Sequence, residues 1–171
     1  MLGELAMPDK RLAGNCNPDV TDDQGCGVKS TKDGDYGKAY NLQGGGVHVL
    51  YWDSNEGIHA YFFPRNKIPL DLEANKPNPW SWGKPTASWP ATHCKPDDYF
   101  RKHAAVFTNT VCGTWAGSSS VWNNPMGGQK VSCKKLTGKS SCYEYMKSGP
   151  DLSTAFWEIK SLKIYQKSRR E

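Results

Sequence analysis

Two stretches of the chain alternate in a way that suits a pleated strand. Val47–Trp52 and Gly57–Phe63 are rich in β-branched and aromatic residues, and they flank the turn formers Asp53-Ser54-Asn55-Glu56. This pattern predicts an antiparallel hairpin. A two- or four-residue loop pairs Trp52 with Gly57 and Leu50 with His59. Side chains alternate across the pleat. That register puts Val47, Val49, Tyr51, Ile58, Ala60 and Phe62 on one apolar face. The other face carries His48, Leu50, Trp52, His59, Tyr61 and Phe63. A face that met only water would read Lys, Thr and Glu. Aromatic rings mixed with imidazoles predict either a surface for a flat, polar-edged ligand or a second core layer beneath a loop.

Further strands are predicted at Ala104–Val111 and Ala155–Tyr165, the second bulged near Ser161. Residues 1–46 read as mostly loop and end in Gly44-Gly45-Gly46. No Gly-Lys-Ser/Thr follows, and a strand rather than a helix comes next. The run therefore reads as close backbone approach or a bulge, not as a phosphate cradle. Residues 64–103 carry Pro64, Pro69, Pro77, Pro79, Pro85, Pro90 and Pro96, a density that predicts no helix. Trp80, Trp82 and Trp89 make this an ordered loop region, of the length that usually serves function. Residues 113–150 read as loop and 167–171 as a tail. No helical period or internal repeat is evident, so the expectation is a single loop-rich, all-β domain spanning 1–171.

Composition narrows the function classes. A chain of 171 residues is one domain's worth, and 12% aromatic residues are too many to leave solvated in a disordered chain. The 17 glycines and 11 prolines suit a turn-rich β-fold. The longest apolar runs are strand-length, far below the roughly 18 residues of a spanning helix. The net charge of +5 comes from Lys and Arg scattered singly, apart from Lys134-Lys135 and the tail. A nucleic-acid surface would gather them into a stripe. Neither nucleic acid nor membrane is expected as a partner.

The six cysteines, Cys16, Cys26, Cys94, Cys112, Cys133 and Cys142, include no C-x-x-C pair, so zinc is not expected. They fit disulfides formed in an oxidising compartment. The simplest pairing joins neighbours: 16 with 26, 94 with 112, 133 with 142. Residues 1–8 show neither a basic leader nor an apolar core of signal-peptide length. The expectation is a mature fragment, or a chain whose beginning is missing.

Acid chemistry has few candidates. Glycoside hydrolysis needs two carboxyls about 5–5.5 Å apart for retention or about 6.5–9.5 Å for inversion. Asp71 and Glu73 have strand spacing but follow Pro69 in the loop region. Asp53 with Glu56, Asp33 with Asp35, and Asp97-Asp98 read as turn or cap residues, and Glu158 stands alone. His48, His59, His93 and His103 form no metal motif, and no G-x-S-x-G occurs. No catalytic residue, metal or cofactor is therefore predicted. What remains is a binding surface. Trp and Tyr rings stack on the apolar face of a sugar while polar side chains take its hydroxyls.

Several ordered segments carry a resemblance. They are Gly44-Gly45-Gly46-Val47; Tyr61-Phe62-Phe63-Pro64-Arg65 followed by Ile68-Pro69-x-Asp71; Trp82-Gly83-x-Pro85; Cys112-Gly113-Thr114-Trp115-Ala116-Gly117; and the ending from Ala155-Phe156-Trp157-Glu158 to Tyr165-Gln166. Together they resemble fungal glycoside hydrolase family 16, the laminarinase-like endo-1,3(4)-β-glucanases, over about Met7 to Gln166. The resemblance implies a partial β-jelly-roll sandwich of the concanavalin A-like lectin/glucanase type, a β-glucan cleft on its concave sheet, a secreted protein and a retaining mechanism. It implies that Trp115 lines sugar subsites; Trp52, His59 and Tyr61 of the hairpin face and Trp82 of the loop are further candidate contacts read from the residues themselves. It also suggests a Cys94–Cys112 bridge. The family's Glu-x-Asp-x-x-Glu motif occurs nowhere in this sequence and by family order falls upstream of Met1. Leu5 stands near the place of a family cysteine, and Thr114 replaces a family Asp. The expectation is the back portion of a glucanase domain, catalytically incompetent alone, with a lectin-like β-glucan-binding module as the alternative. Exposed sheet edges and faces around Val49, Tyr51, Ile58 and Phe62 then invite self-association.

Overall fold

The computed structural model describes residues 4–5, 17–20, 27–30, 32–92, 95–125 and 129–167. In chain order the first elements are the two-residue strands β1 (Glu4–Leu5) and β2 (Val28–Lys29), then α1 (Gly37–Leu42), β3 (Gly46–Asp53) and β4 (Gly57–Pro64). They are followed by α2 (Leu70–Glu73), β5 (Ala87–Pro90), α3 (Pro96–Tyr99), α4 (Ser119–Asn123), α5 (Cys133–Thr137) and α6 (Cys142–Lys147). The chain divides into two compact units. Among the described residues, one holds Glu4, those of 28–104 and those from Lys163 onward, and the other holds Leu5, those of 17–27 and those of 105–162.

The first unit is built on an antiparallel sheet in the order β3-β4-β5. The predicted hairpin is present, but its register is corrected by one residue. Asp53 lies opposite Gly57, Trp52 opposite Ile58, Tyr51 opposite His59 and Leu50 opposite Ala60. The cause is an odd loop. The Asp53 carboxylate accepts the backbone N–H groups of Asn55 at 2.9 Å and Glu56 at 3.1 Å, closing a three-residue turn. Gly57 leaves that turn at φ +110°, a conformation that suits glycine. A one-residue shift moves one strand's side chains to the other face. The true faces are therefore Val47, Val49, Tyr51, His59, Tyr61 and Phe63 on one side, and His48, Leu50, Trp52, Ile58, Ala60 and Phe62 on the other.

Within the glycine run, Gly46 is the point of close approach. A Cβ on Gly46 would sit 2.5 Å from both the Phe62 ring and the Phe63 carbonyl oxygen. Gly45 donates its N–H to the Tyr40 carbonyl at 2.9 Å, and its own carbonyl accepts from Arg65 N at 3.1 Å. These bonds seat α1, which falls inside the stretch read as loop, at the start of the sheet.

The expectation that prolines exclude helix from 64–103 is also corrected. α2, α3 and two 3-10 turns form there, each a single turn. Proline lacks an N–H that the first turn of a helix does not use. Pro96 therefore opens α3 and Pro79 opens the 3-10 turn Pro79–Ser81.

In the second unit, α4, α5 and α6 replace the predicted loop. Each is started by a serine whose hydroxyl accepts a backbone N–H: Ser118 from Val121, Ser132 from Lys135 and Ser141 from Glu144. Trp122 is buried here and donates its indole N–H to the Lys139 carbonyl at 3.0 Å. A disulfide joins Cys112 to Cys142, whose Cα atoms are 5.7 Å apart. It rules out both expected partners, Cys94 for Cys112 and Cys133 for Cys142. Cys133 is a free, half-buried thiol at the start of α5. Cys16, Cys26 and Cys94 lie outside the described residues. Proximity in sequence misled because a bridge needs Cα atoms within about 7 Å and converging Cβ vectors, which the fold sets and sequence spacing does not.

The predicted strands at Ala104–Val111 and Ala155–Tyr165 are exposed and form no ladder among the described residues. A strand needs a neighbour for its backbone groups. Here the two segments touch through side chains instead. The Trp157 indole donates to the Thr108 carbonyl at 2.9 Å, and the Asn109 amide donates to the Ala155 carbonyl. The first unit thus has an antiparallel β-sheet with short helices beside it, and the helices α4, α5 and α6 belong to the second unit.

Candidate functional site

The corrected register gathers one aromatic surface on the first unit. Tyr51 stacks on His59 with centroids 5.8 Å apart, and Tyr61 lies parallel to Phe63 at 6.2 Å. Two tryptophans from the loop before β5 meet this face. Trp82 packs edge-on against Tyr61 at 5.2 Å and Phe63 at 5.9 Å, and Trp80 packs edge-on against Tyr51 at 6.3 Å. Tyr61 and Phe63 are buried beneath, whereas Trp80 stays 70% exposed. Ser88 of β5 lies opposite His59 in register, and its hydroxyl shares a 2.8 Å hydrogen bond with His59 Nδ1. Ser88 is itself buried, so this bond fixes the orientation of the imidazole.

Asp71 holds the tryptophan loop. Its Oδ2 accepts the Asn78 backbone N–H at 2.6 Å and the Trp82 indole N–H at 2.7 Å. Partial burial pushes its carboxyl upward. The bonds from Asn78 and Trp82 outweigh that, and the group is held below the usual carboxylate range. Asp71 is therefore an anionic clamp, not a proton donor. Asp53 is likewise held low, first by the hydrogen bond from Lys167 and then by the turn N–H of Asn55. Burial, with the nearby Asp53 and Glu56 carboxylates, pushes the Tyr51 phenol upward. Lys163, Tyr165 and Lys167, alternate residues of one segment, reach Asn75, Asn75 and Asp53 respectively.

The structure brings together only part of the predicted set. His59, Tyr61 and Trp82 share the aromatic face. Trp52, predicted beside His59 and Tyr61, lies on the opposite face of the sheet, where Phe100 and His103 meet it edge-on at 5.5 Å and 5.6 Å. Trp115 belongs to the second unit, at the tip of a turn, 42% exposed. Its motif has a clear local cause. Cys112 enters the disulfide, Gly113 takes φ +82°, and a Cβ on Gly117 would lie 2.6 Å from the Gly113 carbonyl oxygen. Trp80, Ser88 and the clamp role of Asp71 were missed by sequence reasoning. The spacing Asp71-x-x-x-x-x-x-Asn78 with Pro77 and Pro79 was the available signal. Among the described residues no group of three or more His, Cys, Asp or Glu gathers to hold a metal, and no helix is long and apolar enough to cross a membrane.

Residues 4–165 match the model of the XgeA-like, catalytic GH16 domain. The chain belongs to glycoside hydrolase family 16. The resemblance read from its motifs is borne out. A probable glycosidase of Schizosaccharomyces pombe is 39% identical over 163 residues, 94% of this chain and 36% of that protein. An endo-1,3(4)-β-glucanase of Arthroderma benhamiae is 33% identical over 147 residues, 85% of this chain and 30% of that protein. Among solved GH16 structures, laminarinase 16A of Phanerochaete chrysosporium, with β-glucans in its donor and acceptor sites, is 31% identical at a TM-score of 0.51. That similarity covers 77% of this chain and 47% of the laminarinase. The GH16 chain thus spans about a third of the curated relatives and just under half of the solved one.

Proposed function

We propose that this GH16 chain is a β-glucan-acting polypeptide of the endo-1,3(4)-β-glucanase type that does not hydrolyse glucan by itself. The observation that carries the family part is the match to a catalytic GH16 domain over residues 4–165. The incompetence rests on the absence of Glu-x-Asp-x-x-Glu from the sequence and on the uses found for several acids. Asp53 closes a turn and binds Lys167, Asp71 clamps the tryptophan loop, and Asp97 accepts the Ser54 hydroxyl at 2.5 Å. In this reading β3, β4 and β5 are part of a concanavalin A-like jelly roll, and the Cys112–Cys142 bridge supports export to an oxidising compartment. Incubation with laminarin or lichenan is expected to release no reducing ends above blank. Release that survives repurification overturns the reading.

The second reading is a lectin-like β-glucan-binding module, favoured by an ordered aromatic face in the absence of the acidic motif. Trp80 and Trp82, with His59 and Ser88, offer stacking and hydroxyl contacts on the first unit, and Trp115 offers a ring on the second. It predicts a change in tryptophan fluorescence on titration with laminari-oligosaccharides, reduced by Trp115→Ala or Trp80→Ala. An unchanged spectrum rejects it.

A further inference from the structure

We infer that residues 163–167 are a strap latched over the Tyr51 end of the aromatic face, and that a ligand stacks on the Tyr51 ring only when the latch opens. The consequence for sugar rests on the β-glucan-binding reading. The strap itself does not.

Three alternate side chains hold the strap, and all their partners lie in the first unit. Lys163 Nζ donates to Asn75 Oδ1 at 2.6 Å, and the Tyr165 hydroxyl donates to the same oxygen at 3.1 Å. Lys167 pairs with the Asp53 carboxylate. Its ammonium also lies 5.9 Å from the centroid of the Tyr51 ring, within cation–π range. Ile164, between two of the anchored residues, is 81% exposed. The described attachment is therefore made by polar tips and not by burying the apolar residue between them.

Both anchors belong to the frame of the aromatic face. Asn75 stands between Asp71 and Asn78, which the clamp joins at the base of the tryptophan loop, and it takes φ +57° there. Asp53 is fixed by the turn bonds from Asn55 and Glu56, whether or not Lys167 is seated. The ring under the latch is an element of the face. Tyr51 stacks on His59 and meets Trp80 edge-on. An ammonium over that ring competes with a sugar for the same π-surface. The latch is built to yield. The Lys167 side chain is 70% exposed, and an ion pair so open to water is weak and screened by salt.

Hydroxyl-radical footprinting of the full chain reads the strap without sugar. Labelling of Tyr51 is expected to rise about threefold in Lys167→Ala, relative to Tyr143, an exposed tyrosine of the second unit. Raising the salt from about 0.05 to about 1 M is expected to raise it in the parent but not in Lys167→Ala. Lys163→Ala with Tyr165→Phe, which spares the ion pair, is expected to give a smaller rise. Tyr51 labelling equal to the parent's in both variants overturns the inference, and so does a parent that salt leaves unchanged. In fluorescence titration, Lys167→Ala is expected to bind laminari-oligosaccharides about threefold more tightly than the parent. Binding of equal strength in the two overturns the competition at Tyr51. Binding by neither, with Tyr51 labelling raised, sinks the glucan reading and upholds the strap.

Discussion

Asp71 concentrates the residue-scale chemistry. One carboxylate oxygen receives two N–H donors, one from the backbone of Asn78 and one from the Trp82 ring, and so orients a tryptophan from a loop. Asp71→Asn keeps the shape but loses the charge. It is expected to cost about 1 kcal/mol, since the site is partly open to solvent. Because the folded carboxyl titrates below its ordinary value, its contribution is complete above the unfolded value. It is lost as pH falls through the folded one, in the range below about pH 4. Urea midpoints measured from pH 2 to 6 should fall less steeply on acidification in Asp71→Asn than in the parent. A parallel pair of curves would show that Asp71 does not carry the clamp. Ser88 acts at the same scale, and its buried hydroxyl fixes His59.

At the scale of elements, the β3–β4 turn decides which side chains share a face. The three-residue loop depends on Gly57, where φ is +110° and an added Cβ would lie 2.1 Å from the Trp89 carbonyl oxygen in β5. Gly57→Ala is expected to cost about 2 kcal/mol or more, combining backbone strain with a collision against fixed backbone. Gly83→Ala is the control. Gly83 also has positive φ, +74°, but its Cβ would meet nothing within 4 Å, so only the conformational cost of about 1–2 kcal/mol applies. Denaturant midpoints for the two variants compare the terms directly, and equal losses would remove the collision from the account. The serine N-caps of α4, α5 and α6 follow the same logic, a local hydrogen bond starting an element where no long periodic pattern announced one.

At the scale of the whole molecule, the Cys112–Cys142 bridge ties a turn to the start of α6 across 30 residues. Closing a loop of that length stabilises by about 3–4 kcal/mol in the chain-entropy view. Cys112→Ser should lower the thermal midpoint by an amount consistent with that loss, whereas Cys133→Ser should change stability by less than about 0.5 kcal/mol. Alkylation of the unreduced chain should label Cys133, and peptide mapping should recover Cys112 and Cys142 as one linked species. A Cys133–Cys142 linkage would reverse the assignment. The GH16 relatives are two to three times longer than the share this chain covers.

The sequence by itself determined what local chemistry and ordered motifs can encode: the family, the hairpin's place in the chain, the close approach at Gly46, and the tryptophan-rich loop. Parity of the turn was not legible. Whether two, three or four residues form the loop depends on the hydrogen bonds Asp53 makes once the chain has turned, and one residue of difference moved Trp52 away from His59. The cysteine partners were hidden because bridging follows distance in space, and Cys142 meets Cys112, 30 residues away, rather than its neighbour in sequence. Alternation at 104–111 and 155–165 announced strands, but a strand is completed by hydrogen bonds to a partner distant in the chain. Only the tertiary structure decides where those bonds are made, and among the described residues the two segments join no ladder.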